Sequence, residues 1–104
     1  MVTVAGLEWD AGNWAKCQKH GVSIDEIEQF FTVAPRYAPD VNHSTPAEEC
    51  FVAVGRNRSG RAMFVVFTIR VKSGRPWVRP ISARYMHDKE AARYGSTESA
   101  GDAH

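Results

Sequence analysis

Arginine and histidine side chains give this sequence its clearest chemical potential. Arg84 follows two small residues at the end of a predicted strand and precedes a predicted helix, so a rigid sheet can present its guanidinium group to a ligand. The planar guanidinium fork meets two phosphate oxygens at once. His20 carries an imidazole, the side chain that most readily exchanges a proton near neutral pH. Together these residue types indicate chemistry on a phosphate group.

Two further arginines and a second histidine are candidates for the same site. Arg56 closes an earlier strand, and Arg79 lies inside the strand that Arg84 follows. Regular alternation places Arg79 and Arg84 on opposite faces of the sheet, unless a bulge at Pro80 brings both to one side. His87 begins the last predicted helix near Arg84 and is a second candidate proton carrier.

Each of these side chains also has an ordinary structural explanation. Arg84 can instead pair with Glu90 or Asp88, and Arg56 can be a charge that flanks a hairpin. His20 lies at the end of a predicted helix, where the macrodipole favours it. Both explanations stay open at the level of the sequence.

The net charge of +1 hides a strong asymmetry along the chain. Residues 1–55 carry 3 Lys or Arg against 8 Asp or Glu, whereas residues 56–94 carry 10 against 2. A basic half of this kind favours a polyanionic partner such as RNA, although a solvated sheet face would have the same composition. Lys19 would then orient a phosphate, and Tyr94 would bond to a base or stack on it. The alternative for Tyr94 is an aromatic side chain at the edge of the core.

Composition indicates a protein without a metal, a cofactor or a membrane segment. The four histidines are scattered, and the two cysteines show no metal-ligand spacing, so we expect reduced thiols in the cytoplasm. The longest apolar run, Ala62 to Phe67, is far shorter than the roughly 20 residues that span a membrane. The first residues lack the basic and apolar regions of a signal peptide.

Capping residues, prolines and apolar periodicity predict the elements that position these side chains. Asp10 caps the first helix, and a capping box that begins at Ser23 opens the second. The predicted helices are residues 11–20, 24–32 and 86–94. The predicted strands are residues 2–8, 34–40, 50–56, 61–71 and 77–83. Three tryptophans are assigned to the core: Trp9, Trp14 and Trp77.

Short links that contain glycine join the later strands, so these strands should be antiparallel. The prediction is an α+β fold, with two N-terminal helices and a short C-terminal helix packed on a mostly antiparallel sheet. We expect a single domain over residues 1–94. Residues 95–104 have no large apolar side chain and are predicted to be a flexible polar tail.

Several short strings resemble the BrnT family. They are Leu7 to Asp10, Lys19 to Ser23, Val54 to Arg56 and Arg79 to Arg84, followed by Glu90 and Tyr94. The resemblance covers about residues 7–95, in the order and spacing of that family. It implies a RelE-like fold and a toxin that cleaves RNA and arrests translation. It also implies a small antitoxin, BrnA, with a ribbon-helix-helix DNA-binding segment, in a complex that represses its own operon.

A metal-independent ribonuclease must activate the ribose 2′-hydroxyl, stabilise the phosphorane and protonate the leaving 5′-oxygen. The expected catalytic residues are His20, Arg56, Arg79 and Arg84. The expected RNA-binding residues are Lys19, His87 and Tyr94. The alternative is a catalytically silent module that docks an antitoxin in the autorepressing complex. A dimer, or a heterotetramer with the antitoxin, fits either function.

Overall fold

The computed structural model describes residues 5–33, 35–40, 42 and 44–93. The helices are α1 (Ala11–Cys17), α2 (Ile24–Thr32) and a short final helix, α3, over residues 88–93. The strands are β1 (Arg36–Pro39), β2 (Cys50–Arg56), β3 (Ala62–Lys72) and β4 (Arg75–Tyr85). Tyr94 and the predicted tail over residues 95–104 lie outside the described residues. Among those described, none of the helices has the length and apolar character that a bilayer crossing requires.

Side-chain caps determine where the first two helices begin. The Asp10 carboxylate accepts a hydrogen bond from the Gly12 backbone amide in the first turn of α1. The side-chain oxygen of Asn13 accepts one from the Asp10 backbone amide, at 2.8 Å. Ser23 and Glu26 form the predicted capping box of α2. The bounds of α2 are therefore as predicted. By contrast, α1 ends three residues before the predicted end, at Cys17, and a turn follows.

The four strands form one antiparallel sheet in the order β1-β2-β3-β4, which confirms the α+β prediction. β3 and β4 meet in a two-residue turn, where Ser73 and Gly74 have φ values of 54° and 76°. Two positive φ angles in succession are typical of a type I′ hairpin. The segment before α1 lies along the outer edge of β4 and forms a parallel bridge between Leu7 and Val78.

The main core lies between the helices and one face of the sheet, here termed the helix face. Cys17 at the end of α1 and Ile27 and Phe30 of α2 are fully buried, as are Met63 and Val65 of β3. Burying each large apolar side chain contributes about 1.5–3 kcal/mol. The opposite, second face carries a smaller apolar cluster of Cys50, Val52, Phe64, Val66 and Ile81. β3 is thus packed on both faces, as its continuous apolar run predicted.

A bulge in β4 determines which way its arginines point. The pairing of β3 with β4 slips by one residue between Val66 and Phe67, which leaves Ile81 as an extra residue in β4. A bulge reverses the alternation of faces beyond it, so Arg79 and Arg84 lie on the same, second face. This is the outcome expected for a bulge at the neighbouring proline.

The tryptophans depart in part from their predicted core positions. Trp14 is 49% exposed, so its assignment to the core is wrong. The seven-residue helix α1 directs Asn13 and Cys17 inward, which leaves Trp14 on its outer side. Trp14 packs edge-on against Trp9, with ring centroids 5.9 Å apart. Trp9 and Trp77 are partly buried.

Candidate nucleic-acid interface

Several of the predicted site residues lie at one end of the sheet, beside the β2–β3 hairpin. Arg56 pairs with Ala62, and Arg84 pairs with Phe64 in a neighbouring row of the second face. Two strand spacings and two residue rises separate the Cα atoms of these arginines by about 12 Å, a span that their long side chains can cover. His87 is exposed and follows shortly after the end of β4. This end of the sheet is termed the hairpin rim: Arg56, Arg61, Arg84, Tyr85 and His87.

Arg84 is held by a carboxylate of the same chain. Its guanidinium donates to both oxygens of Glu90, at 2.7 and 2.8 Å. The same group lies over the ring of Phe64, 4.4 Å from the ring centroid. The hydrogen bond from Arg84 holds the pKa of the Glu90 carboxyl below its usual range. The pairing with Glu90, one of the two alternatives that the sequence left open, therefore occurs and ties α3 to the end of β4.

Arg79 lies on the second face but away from the hairpin rim. Arg79 pairs with Thr68 of β3, and Arg84 pairs with Phe64, four residues away on the same strand. The Cα atoms of the two arginines are therefore about 13 Å apart along the sheet. Its guanidinium donates to Asp10 at 2.6 and 3.1 Å and to Glu8 at 3.3 Å. The hydrogen bond from Arg79 lowers the pKa of Asp10. In this arrangement Arg79 anchors the N-cap of α1 to β4.

The imidazole that the sequence favoured lies on the other side of the sheet from these arginines. His20 and Lys19 are exposed in the turn between α1 and α2, in the layer that covers the helix face. Arg56 and Arg84 alternate onto the second face. The predicted catalytic set is therefore divided between the two sides of the sheet. Tyr94, the last of the predicted contacts, lies outside the described residues.

A second cluster, which the sequence did not indicate, surrounds Tyr85 on the helix face of the hairpin rim. The Tyr85 hydroxyl lies 2.7 and 2.6 Å from the two carboxylate oxygens of Glu26. The side-chain amide of Asn57 donates to the same carboxylate at 3.3 Å. The guanidinium carbon of Arg61 lies 3.4 Å from the centroid of the Tyr85 ring. Burial, followed by the hydrogen bond to Glu26, raises the pKa of Tyr85, so the phenol keeps its proton.

Arg61 differs from the other arginines of the hairpin rim because its side-chain N–H groups have no hydrogen-bond partner among the described residues. Arg56 donates to the Gly60 carbonyl at 2.9 Å, and Arg84 is paired with Glu90. In the part of the chain that the structure describes, Arg61 stacks on Tyr85 and its guanidinium contacts no carboxylate. A fork held over a ring with its N–H groups open is suited to a two-point contact with phosphate.

The sequence offered little signal for this second cluster. Glu26 already has a role in the capping box, and Tyr85 follows immediately after Arg84, the predicted phosphate-binding residue. Their contact joins residues 59 positions apart. Only the packing of α2 on the sheet brings the two side chains together.

Among the described residues, no group of three or more His, Cys, Asp or Glu side chains is arranged to hold a metal ion. The two cysteines are both buried and unbonded to each other.

The fold and the hairpin rim together define a small α+β protein in which one end of the sheet is cationic. This cationic end is suited to a ligand that carries phosphate groups. The family model described as "Ribonuclease toxin, BrnT, of type II toxin-antitoxin system" matches residues 9–90, and the chain belongs to this family. The match confirms the resemblance seen in the sequence. Membership in a family of ribonuclease toxins implies an RNA substrate and an antitoxin partner. No curated protein sequence matches the chain significantly.

Proposed function

We propose that this chain is a metal-independent endoribonuclease that arrests translation and is neutralised by a cognate antitoxin. The observation that carries the proposal is the concentration of guanidinium groups at the hairpin rim. Arg56 ends β2, Arg61 precedes β3 and Arg84 lies near the end of β4, all at the same end of the sheet. Fixed positive charge at such a point stabilises the phosphorane that forms during cleavage of a phosphodiester.

An RNA strand that bends around the hairpin rim can meet both sides of the sheet. Arg56 and Arg84 are the proposed phosphate contacts on the second face, and His87 extends that surface beyond β4. Lys19 and His20 are the proposed contacts on the helix side, and Tyr94 is a proposed contact beyond α3. Arg79 contributes indirectly in this proposal, since it holds the start of α1 against β4.

The proposed partner is a BrnA-like antitoxin with a ribbon-helix-helix segment. The proposed assembly is a dimer, or a heterotetramer of the toxin with this antitoxin. An antitoxin that covers the hairpin rim would need acidic side chains to complement its arginines. The proposed site of action is the cytoplasm, where messenger RNA and the antitoxin are both made.

A second candidate function is a catalytically silent module that docks the antitoxin in an autorepressing complex. The observation that favours it is the neutralisation of two predicted phosphate-binding arginines. Arg79 is paired with Asp10, and Arg84 is paired with Glu90. An arginine already held by a carboxylate must exchange that partner before it binds RNA.

Cleavage of end-labelled RNA by the purified protein, with and without EDTA, separates the two functions. We expect cleavage that EDTA does not change, together with inhibition of a cell-free translation reaction. Cleavage abolished by EDTA would contradict the metal-independent mechanism. A folded protein that cleaves no RNA, with or without ribosomes, would favour the docking module.

A matched pair of variants links the activity to the hairpin rim. The double change Arg56→Ala with Arg84→Ala should reduce RNA binding and cleavage. Arg75→Ala removes an exposed arginine from the opposite end of β4 and should change neither by more than about twofold.

A further inference from the structure

We propose that Glu26, Tyr85 and Arg61 form the catalytic centre for RNA cleavage. In this proposal Glu26 takes the proton of the attacking 2′-hydroxyl, Arg61 binds the scissile phosphate and Tyr85 protonates the leaving 5′-oxygen. The inference rests on the proposed ribonuclease function and names the groups that would perform it. All of them lie outside the set that the sequence predicted.

The carboxylate of Glu26 is held in one position by contacts from several elements. Tyr85 donates to it from the end of β4, and Asn57 donates to it from the β2–β3 loop. The backbone amide and hydroxyl of Ser23 lie 3.4 Å from one of its oxygens, within the capping box. A base fixed in this way loses little conformational entropy when substrate binds. Both oxygens accept from the protein, one from Ser23 and the other from Asn57, so uptake of a proton at one oxygen leaves the contacts of the other in place.

Arg61 is positioned before any ligand arrives. The Asn57 side-chain oxygen accepts from the backbone amides of Ser59 and Arg61, at 2.9 and 3.0 Å, which orders the loop. The ring of Tyr85 then supports the guanidinium from one side. A phosphate bound by Arg61 would lie close to both the phenol and the carboxylate. The folded protein thus holds the positive charge in place before substrate binds, so little reorganisation is needed during the reaction.

The phenol of Tyr85 holds the proton that the leaving 5′-oxygen needs. The charged groups that face it are Glu26 from α2 and Arg61 from the hairpin. Burial and Glu26 raise its pKa, whereas Arg61 acts in the opposite sense with a smaller effect. The phenol therefore remains protonated when substrate binds, and the nearby cation stabilises the phenolate once the proton has left.

The proposed reaction balances without a co-reactant. The 2′-oxygen loses its proton to Glu26 and forms a bond to phosphorus. The bond between phosphorus and the 5′-oxygen breaks, and the 5′-oxygen takes the proton of Tyr85. The products are a 2′,3′-cyclic phosphate and a 5′-hydroxyl end. The Tyr85 phenolate then recovers a proton from Glu26 across their direct contact of 2.6–2.7 Å, which restores both groups.

Glu26 and Tyr85 could instead have a purely structural role, in which their contact ties α2 to β4. A modified RNA substrate distinguishes this structural role from the catalytic one. Tyr85→Phe keeps the ring and the support for Arg61 but removes the hydroxyl. We expect its single-turnover cleavage of ordinary RNA to fall about 100-fold or more. RNA with sulfur in place of the 5′-oxygen at the cleaved bond needs no acid, because the thiolate leaves unprotonated. Tyr85→Phe should cleave that substrate at nearly the rate of the unaltered protein.

Glu26→Gln completes the design, since it retains hydrogen-bonding atoms but cannot take a proton. It should lose cleavage of both substrates. Tyr37→Phe is the matched control, because Tyr37 is 53% exposed on β1 and its hydroxyl lies outside the cluster. Its rates on both substrates should equal those of the unaltered protein. Circular dichroism and melting temperature establish that each variant is folded.

The results that would overturn the inference are specific. If folded Tyr85→Phe cleaves ordinary RNA at the normal rate, or loses both substrates equally, Tyr85 is not the acid. If Glu26→Gln cleaves both substrates normally, Glu26 is not the base. In these cases the unaltered protein still cleaves RNA, so the proposed function survives. If the unaltered protein cleaves neither substrate, the proposed function fails and this inference fails with it.

Discussion

Arg84 and Glu90 face each other across the end of β4 in a two-point ion pair, with N–O distances of 2.7 and 2.8 Å. The pair joins the last strand to α3. It also places a carboxylate against the cation that the sequence favours for phosphate. Their side chains are 39% and 25% exposed, and pairs at such exposure contribute only about 0–1 kcal/mol. In the proposed function, an RNA phosphate that binds Arg84 would therefore displace Glu90 at small cost.

Substitutions on the two sides of this pair should change RNA affinity in opposite directions. Arg84→Ala removes a proposed phosphate contact and should weaken binding, whereas Glu90→Gln releases the guanidinium and should tighten it. Fluorescence anisotropy with a 2′-deoxy-blocked RNA at fixed salt measures both effects. In cells, folded Arg84→Ala should be far less toxic. Equal weakening by both variants would show that the pair only stabilises the fold.

The side chain of Asn13 should be among the larger polar contributors to stability. It is 3% exposed and donates to the carbonyls of Pro80 and Glu8, at 2.8 and 3.0 Å. Asn13→Ala leaves the Pro80 carbonyl, beside the bulge, without this donor. The free energy of unfolding should therefore decrease by about 1–3 kcal/mol. Urea denaturation measures the change. The control is Gln29→Ala, at an exposed position of α2, whose free energy of unfolding should stay within about 0.5 kcal/mol of that of the unaltered protein. Equal destabilisation by both variants would contradict the role given to Asn13.

Stability should decline in acid, because paired carboxylates must be protonated. A hydrogen bond to Lys72 lowers the pKa of Glu8, and one to Arg79 lowers the pKa of Asp10. Since the folded pKa lies below the unfolded one, the contribution is complete above the unfolded pKa and disappears as the pH falls through the folded pKa. The melting temperature should thus decrease below about pH 5.

The Arg79→Gln variant tests the source of this acid sensitivity. It removes the main cause of the low pKa of Asp10, so its melting temperature should depend less steeply on pH than that of the unaltered protein. Parallel curves for the two proteins between neutral pH and acid would contradict the assignment.

The thiol of Cys17 should be inert while the protein is folded. It is fully buried, and burial raises its pKa to about 11. At pH 8 the thiolate fraction is then about two orders of magnitude lower than for a free cysteine. Reaction with a disulfide reagent should become fast only in denaturant. The Cys50→Ser variant reports Cys17 alone, and fast labelling of that variant in its folded state would contradict its burial.

Local sequence signals predicted the elements well where neighbouring residues carry the physics. The reciprocal bonds of Ser23 and Glu26 lie within one helical turn, so the start of α2 could be predicted from residue types. Pro80 cannot donate to a strand ladder, which predicts either an edge strand or a bulge, and β4 is an edge strand of the sheet with a bulge beside Pro80. Trp14 was misassigned because a short helix has few inward positions, and residue type alone does not say which they are.

The amino-acid sequence by itself determined the class of fold, the basic second half and the family strings, since each depends on composition or on residues close in the chain. Tertiary structure alone decided the partners of the charged side chains. Arg79 meets Asp10 across 69 positions, and Tyr85 meets Glu26 across 59. Ion pairs and hydrogen bonds form over a few ångströms, so they depend on how the helices pack on the sheet, which no local pattern specifies.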